Sequence, residues 1–246
     1  MVSWAHVGLS VLAVFLASLV EFVEALTVVL AVGTVRGWRP ALAGTGLALA
    51  VLAALVLALG PALARIPLPV VQVAVGTLLL MLGMRWLRKA ILRAAGRIAL
   101  HDELAVFAGE SAQLQHGVRR LVAGWDQVAV ATAFKIVMLE GIEVVFIVIA
   151  IGAAGGLLLP AGLGAGAALL LVVVLGLVLH RPVARIPENQ LKFAVGVLLA
   201  AFGTFWVGEG IGLAWPGGDW SILALIAGFL LVALLLTRRA AGPAAA

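Results

Sequence analysis

Apolar residues fall along this chain in seven long runs, separated by short polar breaks, at about Val7–Gly33, Ala41–Ala64, Pro69–Leu87, Val128–Gly152, Ala161–Leu179, Gln190–Val207 and Ser221–Leu236. A helix needs about 20 predominantly apolar residues to cross a ~30 Å hydrocarbon layer, so each run predicts a transmembrane helix. The breaks carry turn chemistry: Arg39-Pro40, Pro67-Leu68-Pro69, Leu159-Pro160, Ile186-Pro187 and Trp215-Pro216-Gly217-Gly218. All seven Trp (Trp4, Trp38, Trp86, Trp125, Trp206, Trp215, Trp220) fall near a predicted span end, where an aromatic belt is expected.

If the spans alternate in direction, Arg36, Arg39, Arg85, Arg88, Lys89, Arg93, Arg97, Arg119, Arg120, Arg181, Arg185, Lys192, Arg238 and Arg239 share one side, and Arg65 falls opposite. Positive residues are retained in the cytoplasm, so the N-terminus is expected outside and the C-terminus inside a bacterial-type inner or plasma membrane. Met1–His6 has no Lys or Arg, so the start lacks the basic region of a secretory signal peptide and the first helix is expected to be retained.

The long polar stretch, residues 90–126, carries periodic apolar positions (Ile98, Leu104, Phe107, Leu114, Leu121, Trp125) and predicts one or two amphipathic cytoplasmic helices. Within it, His101, Asp102, Glu103, Glu110 and His116 are either a metal-sensing patch or a solvated helix face.

The chain repeats itself at a spacing of about 120 residues. Ala64-Arg65-Ile66-Pro67 returns as Ala184-Arg185-Ile186-Pro187, and Ala74-Val75-Gly76 with Gly83 and Trp86 returns as Ala194-Val195-Gly196 with Gly203 and Trp206. Gly44-x-Gly46 answers to Gly164-x-Gly166. Glu21 and Glu24 answer to Glu140 and Glu143, one residue out of step, as a single indel between Gly33 and Pro40 would produce. Each copy holds three spans, and three is odd, so the second copy enters from the opposite face. The expected fold is therefore an all-α polytopic membrane protein with seven transmembrane helices, built as two inverted three-helix repeats plus a C-terminal helix. Its parts are 1–89 (first repeat), 90–126 (connector), 127–210 (second, inverted repeat) and 211–246 (seventh helix and tail). Gly76 with Gly83, Gly196 with Ala200 and Gly203, and Gly162-x-Gly164-x-Gly166 are expected at close helix contacts.

Composition narrows the chemistry. The 246 residues are 65% hydrophobic and 11% charged, against roughly a quarter charged in a soluble domain. With no Cys, disulfides and thiolate metal sites are excluded. The net charge of +5 comes from basic residues flanking the spans, the pattern of a protein facing anionic lipid, so the bilayer and not nucleic acid is the expected partner.

Of eleven acidic residues, Glu21, Glu24, Glu140 and Glu143 alone lie near the middle of a span. An acidic residue at a helix centre costs roughly 2.5 to 3.5 kcal/mol on insertion scales, so something must offset the four. At i and i+3 on a helix each pair points one way, and an inverted repeat turns both pairs toward a shared axis near mid-membrane. A multivalent cation there would neutralise them, with protons given up by the glutamates as the exchanged charge. Oxygen-only ligation suits Fe, Mn, Mg or Ca. Thr27, Ser18 and Met138 are auxiliary candidates, each with packing as the alternative role. Lys135, read as the one buried cation, would snorkel inward, pair with a carboxylate or guard the inner gate. The chain is thus expected to transport a metal cation and to hold no tightly bound cofactor. The alternatives are a membrane scaffold or assembly factor, or an intramembrane metalloenzyme. An enzyme is disfavoured because His6, His101, His116 and His180 lie near span ends or in the connector and His-Glu-x-x-His is absent.

Leu139-Glu140-Gly141-Ile142-Glu143 and Val20-Glu21-Phe22-Val23-Glu24 resemble the paired Arg-Glu-Gly-x-Glu motifs of the iron/lead transporter family, the oxidase-dependent iron permeases and their bacterial relatives within the lysine-exporter superfamily. The second motif keeps Glu-Gly-x-Glu and the first keeps both acids, while Val20 and Leu139 stand where that family has arginine. The resemblance covers the layout of most of the chain and implies seven helices with the glutamates in iron transport. A divergent branch for manganese or another divalent ion would also fit, as related manganese/calcium exchangers of the same superfamily use paired acidic helix motifs. The resemblance also raises an accessory oxidase as a partner; no residue here fixes that or a homo-oligomer.

Overall fold

A computed structural model describes residues 4–63, 66–118, 120–122, 124–154, 156–179 and 188–241. Arg65, Arg119, His180, Arg181, Arg185 and the Ala64 and Ala184 repeat segments therefore fall wholly or partly outside the described residues. Among the described residues the secondary structure is helical apart from one hairpin: α1 (Trp4–Arg36), α2 (Trp38–Leu63), α3 (Leu68–Ala94), α4 (Glu103–His116), β1 (Leu121–Val122), β2 (Trp125–Asp126), α5 (Gln127–Ala154), α6 (Leu158–Leu179), α7 (Glu188–Gly210) and α8 (Ser221–Ala241). Among the described residues six helices, α1, α2, α3, α6, α7 and α8, are long and apolar enough to cross a membrane. This is the make-up of an integral membrane protein, and large apolar side chains stand exposed on the outer faces of α2, α6 and α8, including Leu47, Leu57, Leu163, Leu170, Leu177 and Leu231. The 28-residue α5 is equally long but carries Lys135, Glu140 and Glu143.

Helices outrun several of the predicted apolar runs. α3 continues to Ala94 because Arg, Lys, Leu and Ala favour helix and because Leu87 and Ile91 bury an apolar face with Val197 and Ala233. The first break lies at Gly37 rather than at Arg39-Pro40. Gly37 adopts φ 107°, its N–H closes on the Gly33 carbonyl at 3.1 Å, and Pro40 sits in the first turn of α2, where its missing N–H is harmless. The connector forms one helix, α4, and then the β1–β2 hairpin, paired Leu121 with Asp126 and Val122 with Trp125. Asp102 caps α4 by accepting from the N–H groups of Leu104 (2.9 Å) and Ala105 (3.4 Å).

Backbone-to-backbone approach at glycine organises the bundle. α3 and α7 form its most extensive helix pair. A Cβ at Gly76 would stand 3.0 Å from the Gly203 carbonyl oxygen, one at Gly203 would stand 2.7 Å from that of Gly76, and one at Gly196 would stand 3.3 Å from that of Gly83. Gly44 of α2 abuts Val130 and Phe134 of α5, and Gly164 of α6 abuts Val11 and Phe15 of α1. Gly162 and Gly166, expected at contacts too, have open space around them, as does Gly46.

The main core joins α1 (Ala13, Val14, Ala17, Val20), α3 (Val75, Leu79), α5 (Val144, Ile147, Ile151) and α7 (Leu199, Phe202, Phe205). Trp86 and Trp206 belong to it, at 6% and 0% exposure, and not to the expected aromatic belt. They lie three residues beyond Gly83 and Gly203, so they fill the α3–α7 contact. Trp38, Trp125 and Trp220 are exposed.

Candidate metal centre

Glu21 and Glu24 lie one turn apart on α1, which is packed along α5 through the main core. That packing brings Glu140 of α5 against them, and one carboxylate oxygen from each of Glu21, Glu24 and Glu140 lies within 4.8 Å of the other two. Glu21 is 2% exposed, whereas Glu24 and Glu140 are partly buried. Three oxygens this close, on the rigid middles of two helices, can share one cation without rearranging the backbone.

Glu143, expected as the fourth member, lies outside this 4.8 Å group. Its side chain is 36% exposed and faces Arg85 of α3, with Nη2 3.4 Å from Oε1. Glu140 and Glu143 share the spacing that keeps Glu21 and Glu24 together, so the difference lies in the neighbour: Arg85 of α3 draws the second carboxylate to the flank.

The auxiliary candidates divide. Thr27 is buried, and its hydroxyl donates to the Val23 carbonyl at 3.1 Å, the usual back-bond of threonine within a helix. Ser18, one turn before Glu21, is fully buried and its hydroxyl has no hydrogen-bond partner. Met138 packs with Val137, Val145 and Leu52. Lys135 is not the buried cation. It is exposed, on the rim of a cavity of about 600 Å³ lined also by Val28, Arg36, Glu110, Thr132 and Leu139. That cavity reaches Val28, one turn past Glu24, and Leu139, adjacent to Glu140.

The cation beside the carboxylates is the half-buried Lys192 of α7. Its ammonium pairs with Glu24 Oε1 and lies 5.9 Å from the centroid of the Trp86 ring. By its position Lys192 belongs to the basic flank of its span. A signal is nonetheless present, because the residue about 120 positions earlier is Gln72, also polar and itself buried, whose amide donates to Glu209 at 2.9 Å.

The connector's polar residues do not assemble into a second centre. His101 Nε2 lies 3.2 Å from Glu103 Oε1, Asp102 caps α4, Glu110 lines the cavity and His116 is exposed. Among the described residues the Glu21–Glu24–Glu140 triad is the group of metal-ligating side chains that meets at one point. In comparisons with known proteins, no family model, no curated protein and no solved structure matches this chain.

Proposed function

We propose that the protein is a transporter of a metal cation, iron or another divalent ion such as manganese, through the carboxylates of Glu21, Glu24 and Glu140, with protons exchanged for the metal. The observation that carries this reading is the meeting of three glutamate oxygens within 4.8 Å on two helices of an apolar bundle. Uncompensated carboxylates in hydrocarbon are strongly disfavoured, and a hard or borderline cation is the partner that oxygen ligands suit.

On this reading α5 is the seventh span, its acids being the functional interruption of an otherwise apolar helix, and the N-terminus is outside. The inverted repeat is supported by matched contacts. Gly44 on Val130 and Phe134 has its counterpart in Gly164 on Val11 and Phe15, and Val11 and Phe15 precede Val130 and Phe134 by the same step as Glu21 precedes Glu140. The Gly76–Gly203 and Gly83–Gly196 approaches exchange the two copies in the same way. Two copies that grip one another across a pseudo-two-fold axis are the common frame for alternating access, with the substrate where the copies meet. The paired glutamates agree with the resemblance to the iron/lead transporter family; Val20 and Leu139 at its arginine positions fit a divergent member.

A second reading draws on the ion pairs Glu24–Lys192 and Glu143–Arg85, which tie α1 to α7 and α5 to α3: a scaffold whose glutamates only hold helices together. Uptake of Mn²⁺ or Fe²⁺ into proteoliposomes separates the two. The transporter reading expects uptake by the wild type and loss in Glu21→Gln and Glu140→Gln variants that still elute as folded protein. Wild-type uptake no faster than that of empty liposomes refutes it.

A further inference from the structure

The charge inventory around the triad is unequal to the number of its acids. Glu21, Glu24 and Glu140 bring three negative charges when ionised, and the Lys192 ammonium on Glu24 returns one positive charge. Glu143 faces Arg85 at the flank and is left outside this count. The three triad carboxylates and Lys192, all ionised, thus carry a net charge of minus two.

Lys192 is built in as part of this centre. Its side chain is 17% exposed, its stem runs inside the bundle from the first turns of α7, and its ammonium is held between the Glu24 carboxylate and the Trp86 face. A lysine at the inner flank of a span ordinarily reaches for water and lipid headgroups. Resting on the cation-site reading above, we propose that Lys192 is the valence-setting residue of the centre: a tethered positive charge that trims the three carboxylates to the complement of one divalent ion and disfavours a trivalent one.

The physical basis is that a buried site is most stable when ligand charge and cation charge cancel. A trivalent ion feels each unit of site charge once more than a divalent ion does. Adding or removing one unit charge within several ångströms therefore changes the relative affinity of the two, by tenfold or more at the effective dielectric of a partly buried site. Lys192→Met removes the positive charge and keeps the apolar stem, leaving minus three. Glu24→Gln leaves minus one, and the double variant restores minus two.

The test is equilibrium binding of Mn²⁺ and Tb³⁺ to the purified full-length protein, read as the ratio of their affinities. Lys192→Met should raise the preference for Tb³⁺ by at least about tenfold. Glu24→Gln should move the ratio the other way, and the double variant Glu24→Gln/Lys192→Met, like Lys192→Arg, should lie within about threefold of wild type. If Lys192→Met does not elute as folded protein, Lys192→Gln carries the comparison. An unchanged ratio in the neutral Lys192 variant that still binds metal overturns the proposal while leaving the cation site standing. A wild type that binds neither ion overturns both.

Discussion

Arg36 at the end of α1 donates from Nη1 to both carboxylate oxygens of Asp126, at 3.1 and 3.4 Å, with the two side chains 1% and 6% exposed. The same guanidinium donates to the carbonyls of Leu114 and Gly117, while Asp126 accepts from the N–H groups of Val128 and Ala129 at the start of α5. One buried pair thereby ties the ends of both glutamate-bearing helices to α4. Removing one member strands the other, so Arg36→Met should cost about 3–5 kcal/mol, seen as a large drop in thermal stability in detergent. The double variant Arg36→Met/Asp126→Asn should cost less than the two single losses together.

Glycine positions should sort by what surrounds them. Gly76→Val and Gly203→Val push a side chain into facing backbone and should each cost about 1–3 kcal/mol, or prevent folding. Gly46→Ala and Gly166→Ala meet open space and should leave stability unchanged or slightly raised. Unfolding midpoints of the four variants, compared side by side, check the contrast.

The two acids of α5 should not be equivalent. Glu140→Gln removes a triad member and should reduce metal uptake at least tenfold, whereas Glu143→Gln, whose carboxylate faces Arg85 on the flank, should retain most of it. Initial rates in proteoliposomes at matched protein content decide this. Equal losses would mean that Glu143 joins the site during transport.

Metal affinity should fall as pH falls, because only the carboxylate form ligates and each bound cation displaces protons. Mn²⁺ added to weakly buffered protein should acidify the solution, and the Glu21→Gln/Glu140→Gln variant should release fewer protons or none.

Much of this was legible in the sequence because lipid imposes a coarse rule: the apolar runs become helices, and α1, α2, α6 and α7 begin and end within three residues of the runs that predict them. The glycine pairs were legible too, since Gly76, Gly83, Gly196 and Gly203 recur at helix-contact spacing. Two things escaped. Helical spacing fixes the angle between Glu140 and Glu143 but not which neighbour meets each, and Arg85 takes the second. A lysine's position gives no direction for its four-carbon stem, so Lys192 turned into the bundle where Lys135 was expected, and Lys135 stands on the cavity rim.

Because the chain has no Cys, single cysteines report sidedness without background. With α5 as a seventh span, a cysteine at the exposed Gln115 in α4 should react with an impermeant thiol reagent from the cytoplasmic side, and one at Gly156 or Leu213 from the outside. Labelling of Gln115→Cys and Gly156→Cys from the same side would remove α5 from the set of spans.

The central claim is that Glu21, Glu24 and Glu140 together hold one cation, and elemental analysis of the purified protein after Mn²⁺ loading tests it most directly. About one ion per chain is predicted for wild type and for Glu143→Gln, and essentially none for Glu21→Gln/Glu24→Gln/Glu140→Gln. Equal metal content in wild type and the triple variant would contradict the account.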